Sequence, residues 1–287
     1  MKFASALIIG IVALSIADPA ARASMTLLTG PSTATHVGNL VTNGSFESGA
    51  PAPGTTVFWA TGTTQTPFAV PAGWSSSGAP GSYAMWGSDP GSPIRLRVSD
   101  VLPDGQNGMY FGNGGATTNL APVFHANGLV TFAGIPTLTA PMGAPVTLSQ
   151  SVPTNATPAP AYLFSFWASG EFAGSGSGAP PGIFGLRVTN VIAGDPMQYF
   201  EVPGGPPSTP ASRRFDYNLV PLNPLLPITV EFWNWGHFDL SPFGGSVFTS
   251  ELVIDDVIVN ALPEPASLAF LFLGGIAMIR RRVPGTR

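Results

Sequence analysis

Two stretches of this chain place large apolar side chains at every second residue, and that period constrains the fold more than any other feature. In residues 162–167, Tyr162, Phe164 and Phe166 fall on one side, and Leu163, Ser165 and Trp167 on the other. In residues 227–235, Ile228, Val230 and Phe232 oppose Thr229, Glu231, Trp233 and Trp235. Successive side chains of an extended strand point to opposite faces, so this pattern buries one face and turns the other outward. Weaker versions predict strands over residues 94–98, 108–112, 146–152, 183–191, 213–220 and 252–259. No long stretch carries the 3.6-residue apolar period of an amphipathic helix. The expectation is an all-β chain.

Glycine and proline, 35 and 31 of 287 residues, come close to the level at which aperiodic chains stay disordered. The abundant aromatic and β-branched residues tip the balance toward a folded body with long loops, predicted at residues 49–54, 75–82, 174–182 and 203–210. There is no cysteine, so burial alone must hold the core. Eight or more strands between such loops predict two antiparallel sheets face to face, a β-sandwich or jelly roll. No internal repeat points to a propeller or solenoid.

Both ends carry targeting patterns. Lys2 precedes an apolar run over residues 6–16, and Ala21-Arg22-Ala23 before Ser24 forms a small-x-small cleavage site. This predicts a signal peptide over residues 1–23, handled by the Sec translocon and signal peptidase and cut between Ala23 and Ser24. At the other end Pro263-Glu264-Pro265 precedes an apolar stretch, residues 266–279, and then Arg280, Arg281 and Arg282. The arginines would hold this end in the cytoplasm. Between the ends the chain divides into a loose leader (residues 24–38) and one domain (residues 39–262). From Ser24 to Leu262 there are five arginines, no lysine and 13 acidic residues. A surface so acidic repels phosphate backbones, which disfavours nucleic-acid partners.

The Pro-Glu-Pro motif, apolar helix and terminal arginine cluster resemble the PEP-CTERM sorting signal of Gram-negative bacteria. The resemblance implies a transient inner-membrane anchor over residues 263–287, recognition by an exosortase-type membrane protease, and delivery to the cell surface, outer envelope or exterior.

A second resemblance joins the two ends of the body. Asn39-Leu40-Val41-Thr42-Asn43-Gly44-Ser45-Phe46-Glu47 and Val253-Ile254-Asp255-Asp256-Val257 are similar to the opening and closing strands of the galactose-binding-like jelly roll, a fold shared with many carbohydrate-binding modules. The resemblance implies a structural calcium ion on Glu47 and one of Asp255 or Asp256, since calcium takes six to eight oxygen ligands. Strand alternation lets only one of the two aspartates face such a site.

Carbohydrate binding would need exposed aromatic faces beside polar groups. Trp74, Tyr83 and Trp86, set in loop-like sequence, are the candidates, and Trp233 with Trp235 forms an alternative platform. No motif for a serine hydrolase elbow, zinc protease, P-loop or dinucleotide site occurs, and His36, His125 and His237 stand singly. The expectation is a non-catalytic cell-surface or extracellular-matrix protein. The alternatives are a calcium-stabilised binder of exopolysaccharide and a hydrolase whose site is assembled from distant acids or histidines.

Overall fold

The alternation in residues 162–167 belongs to an eleven-residue strand, Ala161–Glu171, in the interior of the largest of three sheets. The computed structural model describes residues 23–49, 56–60, 70–77, 83–87, 107–112, 116–118, 122–127, 129–132, 138–139, 146–156, 158–171, 182–202, 204–205, 212–234, 237–239, 247–249 and 251–263. In the larger sheet the strands run in the spatial order Ser24–Leu27, Ser212–Val220, Ala161–Glu171, Glu251–Leu262, Gly108–Gly112, Tyr83–Gly87 and Thr56–Ala60. A short eighth strand, Gly204–Gly205, pairs in parallel with Ala161–Glu171. The second sheet has seven strands: Ser75–Ser77, Val146–Val152, Ile228–Asn234, Gly182–Val188, Gln198–Val202, Leu129–Phe132 and Pro122–Phe124. Neighbours along both orders are antiparallel. A small third sheet is built from strands of two or three residues.

The inner faces follow the period-two pattern. Tyr162, Phe164 and Phe166 are fully buried against Phe215 and Tyr217 of the adjacent strand, and Ile228, Val230 and Phe232 meet them from the other sheet. Phe166 stands edge-on to Phe232, with ring centroids 5.0 Å apart, a geometry that adds about 1 kcal/mol beyond the buried area. With no disulfide, this aromatic layer between the sheets is what opposes unfolding.

Several details differ from the sequence reading. Residues 75–77 pair with Val146–Val152 as a short edge strand instead of forming a loop; three serines accept an extended backbone. The strand predicted over residues 183–191 stops at Val188, because Asn190 takes a left-handed conformation, φ +63°, in the following turn. Residues 39–47 are turns, not an opening strand. The leader is bound: Ser24–Leu27 pairs with Ser212–Val220, and Leu28 donates its N–H to the Asp216 carbonyl. The strand predicted over residues 94–98, the apolar run of the signal peptide and the C-terminal apolar helix fall outside the described residues. Among the described residues no helix is long and apolar enough to cross a membrane.

Candidate functional site

The two motifs from opposite ends of the domain meet, and the contact is made mainly by backbone. Leu40 donates its N–H to the Val259 carbonyl and Val257 donates to the Gly44 carbonyl, both at 2.9 Å. Asn39 reinforces this with its side chain: Nδ2 donates to the Val257 carbonyl at 3.0 Å, and Oδ1 accepts from Val259 N–H and Val41 N–H. Gly44 lies so close to the closing strand that a Cβ there would stand 2.0 Å from the Val257 carbonyl oxygen. Asn43 (φ +51°) turns the chain and ties it to Ser48 through both ends of its amide. Phe46 then drops into the core, fully buried. The pattern of Asn, Gly and Phe in residues 39–46 is thus explained by a clasp that joins the first and last segments of the domain.

At Asp255 and Asp256 the closing strand breaks alternation. Ser165 pairs with Ile258 and Trp167 with Asp255, so Phe166 alone stands opposite both Asp256 and Val257. This is a β-bulge, and Asp256 takes a left-handed φ of +51°, which aspartate tolerates better than most non-glycine residues. Core residues accordingly fall at Ile254 and Val257, three apart, with both aspartates between them. The simple alternation from which the sequence reading placed a single aspartate toward a site is therefore interrupted at this point of the strand. Asp255 is in register with Trp167, whose ring carries the Arg214 guanidinium at 5.8 Å.

Arg214 organises this outer face. Its Nη1 meets Asp256 Oδ2 at 3.1 Å and its Nε meets Asp216 Oδ1 at 3.3 Å, with both carboxylates more than nine-tenths buried. The leader closes over them. Ser32 Oγ donates to Asp216 Oδ1 at 2.7 Å, His36 Nε2 lies 3.2 Å from Asp256 Oδ1, and Thr35 and Val37 are bonded to the Asn260 amide. A planar guanidinium can serve two carboxylates at once, which a lysine cannot do as well. Arg214 and Asp216 were not singled out from sequence, nor was the pairing of His36 with Asp256, although Asp256 stood among the metal candidates and Asn39 opened the 39–47 motif.

Glu47 is held by Asn107, whose backbone N–H and Nδ2 donate to its two oxygens at 2.7 and 2.6 Å. Asn107 precedes the strand whose Met109 pairs with Ile254, so Asn107 and Asp255 leave the same end of that pairing. The buried Oδ1 of Asn107 has no hydrogen-bond partner among the described residues. Glu47, Asp255 and this amide oxygen are hard donors of the kind calcium takes. Asp256 fits less well, because its two oxygens already face an imidazole and a guanidinium. Among the described residues no three His, Cys, Asp or Glu side chains group as a metal site, so such a cradle would draw on amide and backbone oxygens as well.

Of the aromatic candidates, Trp74 is corrected. It is buried in the core, 5.3 Å from Phe46 and 6.4 Å from Phe232 between ring centroids, and its Nε1 donates to the Asn43 carbonyl. The apolar ring outweighs its loop-like surroundings, because burial satisfies both the indole face and its N–H. Tyr83 and Trp86 lie on the strand Tyr83–Gly87, but their side chains are outside the described residues. Trp235 is too, as are Glu264, Pro265 and Arg280 to Arg282, whereas Ala23, Ser24 and Pro263 mark the ends of the described body. Trp233 is half-buried on the outer face of the seven-stranded sheet. Its Nε1 donates to Glu231 Oε2 at 3.0 Å, and the Arg187 guanidinium, paired with the same carboxylate, stacks 5.1 Å from its ring centre. Three tyrosines respond to their surroundings: burial raises the phenols of Tyr162, Tyr199 and Tyr217 above the ordinary value, Tyr217 most.

No family model and no curated protein matches the chain. Among solved structures it is similar to the enzymatically active domain of bacteriophage CBA120 tailspike protein 4, at 11% identity and a TM-score of 0.35, over 78% of this chain and 22% of that one. The chain therefore spans about a fifth of that structure's length, and a likeness this slight assigns neither family nor function.

Proposed function

We propose that this chain is an exported, non-catalytic protein of the cell surface or extracellular matrix, delivered by a Sec signal peptide and an exosortase-type sorting tail. The observation that supports this reading is how the motif residues are used. Asn39, Glu47 and Asp256 of the two motifs each hold one part of the fold to another, Asp256 through Arg214, which also binds Asp216. The His36–Asp256 pair is the arrangement a hydrolase would ask for. Yet Ser32, the hydroxyl bonded into that cluster, donates to Asp216 rather than to the imidazole, so no nucleophile is delivered to the histidine by Ser32. Purified protein assayed against panels of glycosides, esters and peptides is expected to show no turnover above buffer, and enzyme-like turnover of any of them would sink the proposal. Mass spectrometry of the exported form is expected to begin at Ser24 and to end near Pro263-Glu264-Pro265.

A second reading, a calcium-stabilised binder of exopolysaccharide, is favoured by the Trp233 platform. One edge of the indole is fixed by Glu231, and Thr147 is in register beside it, an aromatic surface next to hydroxyl and charged groups of the kind sugars pack on. A glycan array probed in millimolar calcium tests this. Binding that Trp233→Ala abolishes supports it, and binding to no polysaccharide counts against it.

A further inference from the structure

Three of the large apolar side chains most exposed among the described residues sit on a single turn: Leu222, Leu225 and Leu226 are 50%, 73% and 52% exposed. This turn is built to hold its shape. Asn190 Nδ2 donates to the carbonyls of Asn223 and Leu226 at 2.8 and 3.1 Å, Asn190 Oδ1 accepts from Asn223 N–H at 3.0 Å, and Leu222 N–H donates to the Asn190 carbonyl at 2.7 Å. Leucines on a stiff turn cannot fold back to cover themselves. An apolar tip of this kind is disfavoured in water unless something receives it.

Strand register shows where the tip lies. The turn joins Val220, which pairs with Ser24, to Ile228, which pairs with Val152. The same end of the sandwich holds the pair Ala161 and Leu262. The chain therefore enters the domain at Ser24 and leaves it at Leu262 on the pole that carries the leucines. Only three residues separate Leu262 from Ala266, where the apolar stretch over residues 266–279 begins; extended, they reach roughly 10–14 Å. Charge agrees with this placement. From Ser24 to Leu262 the chain has 13 acidic residues against five arginines. Yet across the described loops at this pole, within 153–160, 189–197 and 221–227, Asp195 is the only ionisable side chain, and its Oδ1 is bonded to Asn190 N–H. A surface cleared of carboxylates avoids the repulsion an acidic protein otherwise meets at an anionic leaflet.

We propose that this pole is a membrane-contacting surface, with Leu222, Leu225 and Leu226 seated in the interfacial layer of the bilayer that residues 266–279 enter. The assignment rests on reading residues 266–279 as a membrane segment. The short tether holds the tip at high effective concentration against the lipid, and apolar side chains on a rigid turn add interfacial affinity in proportion to the area they bury. Docking fixes the sandwich upright on the membrane.

The cysteine-free chain allows a direct test. Full-length protein is reconstituted in vesicles of phosphatidylethanolamine and phosphatidylglycerol, with one fluorophore on Leu225→Cys or, as the distal control, on Ala126→Cys. Ala126 lies in the turn before Leu129, which pairs with Phe200 at the opposite pole. Lipid-borne quenchers are expected to quench the label at 225 and spare the label at 126. With the label on Leu222→Cys, the exposed-site pair Leu225→Asp and Leu226→Asp is expected to lower the docked-to-undocked ratio roughly a hundredfold, about tenfold per leucine. Vesicles that capture the chain but quench both labels equally overturn the docking while leaving the membrane segment intact. A chain that fails to float with vesicles overturns both. Protection of the 225 label from aqueous quencher without lipid quenching points to a second copy of the chain and overturns the lipid assignment.

Discussion

Replacing Gly44 by alanine tests the clasp at its tightest point. The new Cβ would stand 2.0 Å from the Val257 carbonyl oxygen, 3.0 Å from its carbon and 3.2 Å from Val41 Cγ1. Ordinary contact needs about 3.4 Å, so backbone must part from backbone by more than an ångström. That displacement breaks the bond from Val257 N–H to the Gly44 carbonyl and disturbs the one from Asn39 Nδ2 to the Val257 carbonyl. A buried hydrogen-bonding group left unmatched costs about 1–3 kcal/mol. Two such losses come to about 3–5 kcal/mol, which for a domain of this size is about 10–15 °C in Tm. Gly30→Ala, where a Cβ meets nothing within 4 Å, is the control. Thermal unfolding followed by circular dichroism is expected to show the large loss for Gly44→Ala and almost none for Gly30→Ala. A Gly44→Ala protein melting within about 2 °C of the parent would refute the reasoning.

Arg214→Ala leaves two buried carboxylates without their shared cation and is expected to destabilise by about 3 kcal/mol, with Arg214→Lys recovering only part in denaturant titrations. Burial holds the Tyr217 phenol protonated while the unfolded chain ionises near 10.0. Stability therefore falls as pH rises above about 10, and Tyr217→Phe is expected to make that alkaline slope shallower by about 1.4 kcal/mol per pH unit. The same hydroxyl has no hydrogen-bond partner among the described residues, so at pH 7 the phenylalanine variant is expected to be as stable as the parent or slightly more so. Trp74→Ala is expected to cost about 3–5 kcal/mol, a core effect, and to leave any polysaccharide affinity per folded molecule unchanged in gel-retardation assays. Millimolar calcium is expected to raise the melting temperature relative to chelator, since an ion that binds only the folded form stabilises it by mass action. Asp255→Asn is expected to remove that shift, and its survival in the variant would take Asp255 off the ligand set.

The sandwich was legible because its information is local and periodic. Ile228, Val230 and Phe232 announce a buried face by spacing alone, and the burial along Ile228–Asn234 follows it residue by residue. The clasp was half legible: the two motifs could be paired, but residues 39–47 read as a strand and fold as turns, since a run with two asparagines and a glycine reads equally as strand or turn until its partner is known. The bulge at Asp256 carried no signal, because left-handed backbone is usually marked by glycine and an aspartate can adopt it without one. The bound leader was missed for a related reason. Its anchors, Asp216 and Asn260, lie about 180 and 225 residues away, and contacts at that separation leave no periodic trace. Trp74 misled because its neighbours are polar while its own ring is decisive.

Native-state hydrogen exchange at the amides of Leu40, Val257 and Val259 addresses the clasp itself, since each donates across the junction between the first and last segments. All three are expected to exchange only through global unfolding, with opening free energies matching those of core amides in Ala161–Glu171. Exchange at the rate of frayed turns, while that strand stays protected, would contradict the view that the two ends of the domain are locked together.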